Sequence, residues 1–428
     1  MDMLFCNIRY VDEDFVLREN GFLGIEEDKV EYIGAVPPEK DYGRQIDGRD
    51  LLALPGLVNA HCHVPMVLMR GYGEGLPLHR WLRERIFPFE AKMEESHFYY
   101  GALLGIGEML SHGITSFSDM YLHVPAVARA AWESGIRANI GFGVAGEDVK
   151  GQCRLAAEGA RRIRELGSDR LRADYCLHAE YTSSPALVEA LLDAAQETPE
   201  AVFQVHLSET EQEHREGIGR RGMTPAAYLD SLGFFGHKTV AAHCVWLEEG
   251  DMELLRDRGV SVAHCPKSNL KLGSGVAPVK KLLEKGVNVC VATDGAASNN
   301  TLDMLDEGKV AALLLKGANL DPTLGTPGEM LRMMTRNGAL AQGRGNTGLI
   351  KVGYQADLAV FSMERAHWHP LGDPLAALLF AANSGDVAMT VVGGKVLYEN
   401  GTFPTLDMER VKFEAKRARD QVLAALAL

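Results

Sequence analysis

Residues 54–63 read LPGLVNAHCH, an apolar run that passes a Pro-Gly pair and ends in two histidines one residue apart. Side chains of a strand alternate between faces, so His61 and His63 leave the same face and both imidazoles can reach one cation. Alone, the pair fits two unrelated polar loop residues equally well. The chain that follows decides the matter: from Leu51 onward, short β-rich runs alternate with longer helical stretches, the pattern of parallel βα units. Candidate strands are 54–60, 114–118, 137–144, 171–177, 201–207, 239–243, 260–264 and 287–293. Helical patterns over 99–111, 185–196, 251–258 and 276–285 lie between them. Eight parallel strands with crossover helices close into an α/β (β/α)8 TIM barrel.

Working outward, both flanks are β-rich. Residues 3–9, 21–26 and 29–33 read as short strands, and so do 357–361, 390–392 and 395–399. With the barrel between them, the economical arrangement is one small β-sandwich built from both termini, which needs no long linker. The expected division is a composite β-sandwich from 1–54 and 346–428 and a catalytic barrel over 55–345. A chain of 428 residues suits a barrel of about 250 to 300 residues plus such a satellite.

The composition, 46% hydrophobic and 24% charged, is that of a globular protein able to bury a large core. A formal charge of −14, without long single-sign runs, argues against nucleic acid, because phosphate backbones are bound by concentrated Lys and Arg. The start MDMLFCNIRYVDED has no apolar stretch long enough for a signal peptide, and no run of about 18 uncharged apolar residues occurs. No membrane partner and a cytoplasmic location are expected. The seven cysteines form no CxxC pair and should be reduced thiols. Cys62, Cys244 and Cys265 each follow a histidine, but strand neighbours face opposite ways, so each should turn from its His and act as apolar filler.

The polar residues of interest fall at the C-terminal ends of the strands, the face where barrel enzymes hold their active sites. His206 ends the fifth in FQVHLSE, His243 the sixth in VAAHC, His264 the seventh in SVAHCP, and Asp294 the eighth in VCVATDG. The barrel brings ends that are distant in sequence around one mouth. With His61 and His63, three imidazoles and one carboxylate suit zinc or iron(II) rather than magnesium or calcium. A second metal would need a bridging group such as a carboxylated lysine. The fourth strand, LRADYCLHAE, offers His178 at its end and no lysine, so one metal is expected. Catalytic zinc makes hydroxide available at neutral pH. Glu209, three residues past His206, is placed to move protons; the alternative is a solvated carboxylate opening a helix.

Read together, LPGLVNAHCH, HLSET, AHCPKSNLKLGSG, TDGAASNNTLDM and GYQADLAVF resemble the amidohydrolase superfamily over nearly the whole chain. Within it they are most similar to the S-adenosylhomocysteine, methylthioadenosine and adenosine deaminase branch, related to chlorohydrolases and guanine deaminases. The resemblance implies that His61, His63, His206 and Asp294 bind one divalent metal, Zn2+ by default with Fe2+ or Mn2+ as alternatives. It implies that His243 hydrogen-bonds the hydroxide or developing oxyanion, that Asp294 takes the proton of the attacking water, and that Glu209 protonates the ring nitrogen before ammonia leaves. The implied activity is hydrolytic deamination of adenine nucleosides: adenosine, 5′-methylthioadenosine, 5′-deoxyadenosine or S-adenosylhomocysteine. A homo-oligomer, dimer or tetramer, is implied as well.

In RWLRERIFPFE the resemblance assigns Glu90 to the ribose hydroxyls and Trp81 to packing on the ligand; the alternative is an amphipathic helix with Trp81, Leu82 and Ile86 on its core face. His178 resembles a substrate-contacting histidine, although Glu180 stands where relatives often have proline. Of a pair of arginines that hold a substrate carboxylate in homocysteine-accepting relatives, Arg154 matches one and Phe142 replaces the other. Half a clamp recognises a carboxylate poorly, so small or apolar 5′ groups are expected. Two rival readings share parts of this pattern: a superfamily member acting on a free base, pterin or triazine, and a non-catalytic scaffold, which would lack several of the metal-binding residues.

Overall fold

In the computed structural model, which describes residues 2–428, the chain crosses from one sheet to another at Pro55–Gly56. Leu51–Pro55 pairs antiparallel with Leu358–Ser362, whereas Leu57–Cys62 pairs parallel with Ile114–Tyr121. The expected strand 54–60 is therefore two strands in two sheets. Proline has no N–H to give a ladder and suits a strand end. At Gly56 a Cβ would fall 2.1 Å from Thr115 Oγ1, so only glycine fits the crossing.

Leu57–Cys62 is the first barrel strand. The others are Ile114–Tyr121, Arg137–Val144, Tyr175–Ala179, Phe203–Leu207, Thr239–His243, Ser261–His264 and Asn288–Val291, each parallel to the one before. The ring closes between the last and the first by single bonds rather than a ladder: Asp294 N donates to His61 O at 3.1 Å and Thr293 N to Asn59 Oδ1 at 3.0 Å. The expected strand 171–177 breaks at Asp174, leaving Leu171–Ala173 as a separate short strand beside the third. Its carboxylate accepts from Asn139 Nδ2 and Gln204 Nε2, both at 2.9 Å, while its N–H stays bonded to Ile140 O at 3.0 Å.

Small residues fill the barrel: Ala60, Val240, Ala242, Ala263, Cys265 and Ala292 face inward. Val205, Leu207, Val262, Val289 and Val291 face outward and join the layer between strands and helices. Burying each side chain of that size contributes about 1.5–3 kcal/mol, which makes this outer layer the main source of stability. The floor is closed by a polar plug after the helix Arg336–Ala341. Gln342 Oε1 accepts from Ser116 Oγ at 2.6 Å, and Arg344 Nε donates to Asn139 Oδ1 at 3.1 Å. At the opposite end, the C-terminal mouth holds a cavity.

Strands from both termini build one further sheet, running Lys395–Glu399, Val387–Val392, Leu358–Ser362, Leu51–Pro55, Met3–Val11, Leu17–Glu26, Lys29–Gly34, with Arg44–Asp47 beside Met3–Val11. It covers its own core of Phe5, Ile8, Leu23, Ile25, Leu358 and Val360. The buried ion pair of Arg137 Nε with Asp357 Oδ2, 2.6 Å, joins this sheet to the third barrel strand. The last helix, Met408–Leu426, buries Val411, Ala415, Ala418 and Val422, a helical stripe that packs on Glu95–Ser111. No helix among the described residues is long and apolar enough to cross a membrane.

Candidate active site

Five of the strand-end residues converge. His63 Nε2 lies 3.2 Å and His61 Nε2 3.8 Å from Asp294 Oδ1. The His206 ring is 5.0 Å from that of His61, and the His243 ring is 5.8 Å from it. Two of the five reach the cluster through left-handed backbone at residues other than glycine: His243 and Asp294, with φ of 71° and 60°. Such a conformation costs about 1–2 kcal/mol per residue and is held only where the surroundings impose it. At His243 it decides the outcome. Ala241 faces the outer layer, so plain alternation would send His243 outward too; the left-handed turn swings it in.

The donor set fits a divalent cation. His206 Nδ1 donates to His178 O at 2.7 Å and His63 Nδ1 donates to Met120 O, which turns both Nε2 atoms into the cluster, 3.3 Å apart; the Asp294 carboxylate beside His63 raises that imidazole against its burial. Neither ring nitrogen of His61, which is fully buried, has a hydrogen-bond partner. An orphaned buried imidazole, with two further imidazole nitrogens and a carboxylate oxygen turned toward it, is the donor set of a divalent cation. Ligand nitrogens of His61, His63 and His206 lie within 4.8 Å of one another, as do ligand atoms of His61, His243 and Asp294. Burial, then the neighbouring His63, holds His61 well below the usual imidazole range; burial, then His61, does the same for His206. Both are neutral donors. Burial alone would raise the Asp294 carboxyl, but the imidazoles, His63 first, hold it well below the usual carboxylate range. Its Oδ2 accepts from Ser268 Oγ at 2.6 Å and Ser298 Oγ at 2.7 Å, which leaves Oδ1 for the cluster.

Beside the cluster lies a cavity of about 230 Å³, room for a small molecule and not for a polymer. Glu209 lines it and is buried rather than solvated: Oε1 accepts from Ser274 Oγ at 3.3 Å, and Oε2 is 3.8 Å from His243 Nε2. Burial raises the Glu209 carboxyl, with His243 opposing. For His243 burial pulls downward, but the carboxylates of Glu209 and Asp294 outweigh it and the imidazole is raised; its Nδ1 is held by Asn269 Oδ1 at 2.9 Å. The helix after Glu209 begins at Glu211, with Thr210 as its cap.

His178, Trp81 and Glu90 also line the cavity. His178 Nδ1 is 3.0 Å from Thr182 Oγ1, and burial followed by His63 lowers the imidazole to about 4. The segment RWLRERIFPFE forms a helix interrupted by a wide turn over Leu82–Ile86, where Phe87 N bonds back to Leu82 O. Pro88 supplies no N–H to Glu84 O and crowds it, which favours the widening. Trp81, Leu82, Ile86, Phe87 and Glu90 all reach the cavity, so this segment is a cavity wall as well as an apolar helix face. Tyr121 OH donates to Glu90 Oε1 at 2.7 Å. Burial pushes the Glu90 carboxyl up to about 7, against that bond.

Two sequence expectations are corrected. Phe142 does not line the cavity; it packs in the outer layer, and its neighbour Gly143 faces the ligand space. Arg154 is exposed on the helix Val149–Glu165 and lines no part of the cavity. An arginine clamp, whole or half, is therefore not built from these two positions. His264 is buried outside the cluster. The alternation of Cys and His holds at residues 264–265, but there Cys265 faces the barrel interior and His264 turns away. At Glu180 the loop turns without proline, and both carboxylate oxygens are held, by Arg220 Nη2 at 2.6 Å and Arg221 Nε at 2.9 Å. The sequence reading missed Asn269, Ser268, Ser298 and Tyr121, which hold His243, Asp294 and Glu90 in place. The first three lie in motifs already singled out, AHCPKSNLKLGSG and TDGAASNNTLDM, and Tyr121 ends the second barrel strand.

With this geometry in hand, comparison with known proteins gives a consistent answer. The amidohydrolase family model matches residues 52–397. A 5-methylthioadenosine/S-adenosylhomocysteine deaminase of Dictyoglomus thermophilum is 42% identical, over 87% of this chain and 88% of its own. A 5′-deoxyadenosine deaminase of Methanosarcina mazei is 40% identical, over 95% of this chain and 94% of its own. Among solved structures, an adenosine deaminase from Xanthomonas campestris with bound zinc superposes with a TM-score of 0.92 at 32% identity, covering 99% of both chains. The family model spans every barrel strand from Leu57 to Val291, and this chain belongs to the amidohydrolase family.

Proposed function

We propose that this chain is a metal-dependent hydrolytic deaminase of adenine nucleosides, converting them to the inosine analogue and ammonia. The observation that carries the proposal is that one cavity joins the Glu209–His243 pair, beside the histidine cluster, to a second, half-buried carboxylate, Glu90, with Trp81 also in its wall. The first pair suits proton transfer to and from a ring; the second carboxylate suits a vicinal diol.

His61, His63, His206 and Asp294 would hold one divalent cation, with zinc favoured by three imidazoles and a carboxylate. When bound, such a cation supplies hydroxide at neutral pH by lowering the pKa of water from about 15.7 to about 7. The residues of the chain do the rest. Oxygen adds to the amino-bearing ring carbon, and Asp294 takes the proton it releases. Glu209, protonated at the outset, gives its proton to the adjacent ring nitrogen and then relays the proton of the added hydroxyl to the departing amine, so that ammonia leaves and the ring keeps the oxygen; the proton held by Asp294 recharges Glu209. His243, anchored at Nδ1 by Asn269 and raised by Glu209 and Asp294, donates from Nε2 to the developing oxyanion. Trp81 packs on the ligand, Glu90 accepts from the ribose hydroxyls, and His178 contributes a neutral imidazole. The domain division at residues 54/55 and 345/346 and a dimeric or tetrameric assembly are part of the same proposal.

The cavity also favours one kind of 5′ group. Met66, Leu82, Phe87, Met120, Leu122 and Leu272 line it, and among the described residues no lysine or arginine does. The carboxylate of a homocysteine tail would lose its water without gaining a lysine or arginine. Steady-state assays across adenosine, 5′-deoxyadenosine, 5′-methylthioadenosine, S-adenosylhomocysteine, guanine and a triazine test the reading. The expected order places 5′-deoxyadenosine, 5′-methylthioadenosine and adenosine above S-adenosylhomocysteine in kcat/KM. Turnover of the free base or triazine alone would overturn it.

A further inference from the structure

The proton-transfer role of Glu209 needs its carboxylate fixed, yet Glu209 sits in a loop just past the fifth strand and just before a helix. Its own side chain has one hydrogen bond, from Ser274. What fixes the backbone is a second glutamate. Glu213 Oε1 accepts from Ser208 N at 3.0 Å and its Oε2 accepts from Glu209 N at 2.8 Å. Ser208 is the left-handed residue of this loop, with φ of 47°. Glu213 stands at the third position of the helix Glu211–Arg221, whose cap Thr210 accepts from Glu213 N at 3.1 Å. In the usual reciprocal arrangement such a glutamate turns back to the N–H of the cap residue. Here it reaches past the cap, grips the two preceding N–H groups, and is itself 2% exposed.

Resting on the proton-transfer reading of Glu209, we propose that Glu213 is a positioning residue for this acid/base: its carboxylate fork holds the Ser208–Glu209 peptide in the left-handed turn that aims Glu209 at the reacting ring. Both bonds are donated by backbone N–H, so the fork works only with two acceptor oxygens. A glutamine of the same shape offers one oxygen and one NH2, and it must oppose a donor with a donor.

Glu213→Gln is the test, assayed on adenosine and on 6-chloropurine riboside, with metal content measured on the same samples. The amine must gain a proton to leave as ammonia, whereas chloride leaves without one. A misaimed acid should therefore lower kcat on adenosine by about 100-fold and on the chloro analogue at least tenfold less, with KM within about threefold and metal content unchanged. Glu213→Asp withdraws the fork by one methylene and should give the same pattern in weaker form, which covers the case of a glutamine variant that does not fold. Equal losses on both substrates, or losses that track metal content, would overturn the positioning role. Glu209→Gln run alongside separates the two ideas. If it keeps full deaminase activity, the acid/base reading falls; if it is inactive while both Glu213 variants keep the kcat of the unaltered protein, only the positioning role falls.

Discussion

Replacing Glu90 by glutamine should separate nucleosides from free bases. Glu90 Oε1 already accepts from Tyr121 OH at 2.7 Å, so the ionised carboxylate still has capacity on both oxygens for the 2′ and 3′ hydroxyls. The amide keeps a single acceptor oxygen for Tyr121 and one hydroxyl, and its NH2 faces the other. Hydrogen bonds to a charged acceptor contribute about 1.5–3 kcal/mol against about 0.5–1.5 for neutral ones. Two weakened bonds then amount to about 2–3 kcal/mol, or about 30- to 150-fold in kcat/KM. Because burial raises this carboxyl to about 7, part of the free protein is protonated at neutral pH. The nucleoside kcat/KM of the unaltered protein should rise about twofold between pH 7 and 8, while that of Glu90→Gln should not. The assay follows ammonia release from adenosine and from adenine at pH 8. Adenine turnover, which needs no ribose contact, should fall less than about threefold. Equal losses on the two would show that Glu90 does not serve the sugar, and the nucleoside reading would lose its main support.

Removing the metal should cost stability as well as activity. Without a cation both ring nitrogens of the buried His61 are left unpartnered. A bound ligand at about 1,000 times its Kd stabilises by about 4 kcal/mol, so dialysis against dipicolinate should lower Tm and abolish turnover, and zinc should restore both. Full activity in protein holding less than about a tenth of an equivalent of metal would contradict the ligand set. A third test concerns Glu307, fully buried, whose carboxyl burial pushes up to about 8, above its ordinary value of 4.5. A raised folded pKa means that the folded state holds a proton the unfolded chain releases, so stability falls as pH rises from about 4.5 to about 8. Glu307→Gln keeps the Asn299 bond and gives up a 3.4 Å bond from Lys267 N. Denaturant titration should find the variant gaining a few kcal/mol on the unaltered protein between pH 5 and 8; parallel curves would rule this out.

The barrel was legible because alternation of strand and helix is written locally, in runs of four to eight residues. His61, His63, His206 and Asp294 were legible for a related reason: each ends such a run, and parallel strands must bring those ends to one mouth. The Pro55–Gly56 crossing and the break at Asp174 were not, since each meets side chains distant in sequence, Thr115 for one and Asn139 with Gln204 for the other. The same limit explains Phe142. Its strand was read correctly, yet which of Phe142 and Gly143 faces the ligand depends on how that strand sits against its neighbours.

His243 and His264 make the point most plainly. Both follow an alanine and precede a cysteine at the end of a strand, and nothing in those short stretches tells them apart. Spacing and periodicity, which belong to the chain, already put histidines and a carboxylate around a barrel mouth, and the family resemblance already singled out His243 and not His264. The physical reason for that choice lies in the fold. A left-handed residue is unfavourable on its own and persists at His243 only because the surrounding elements hold it there.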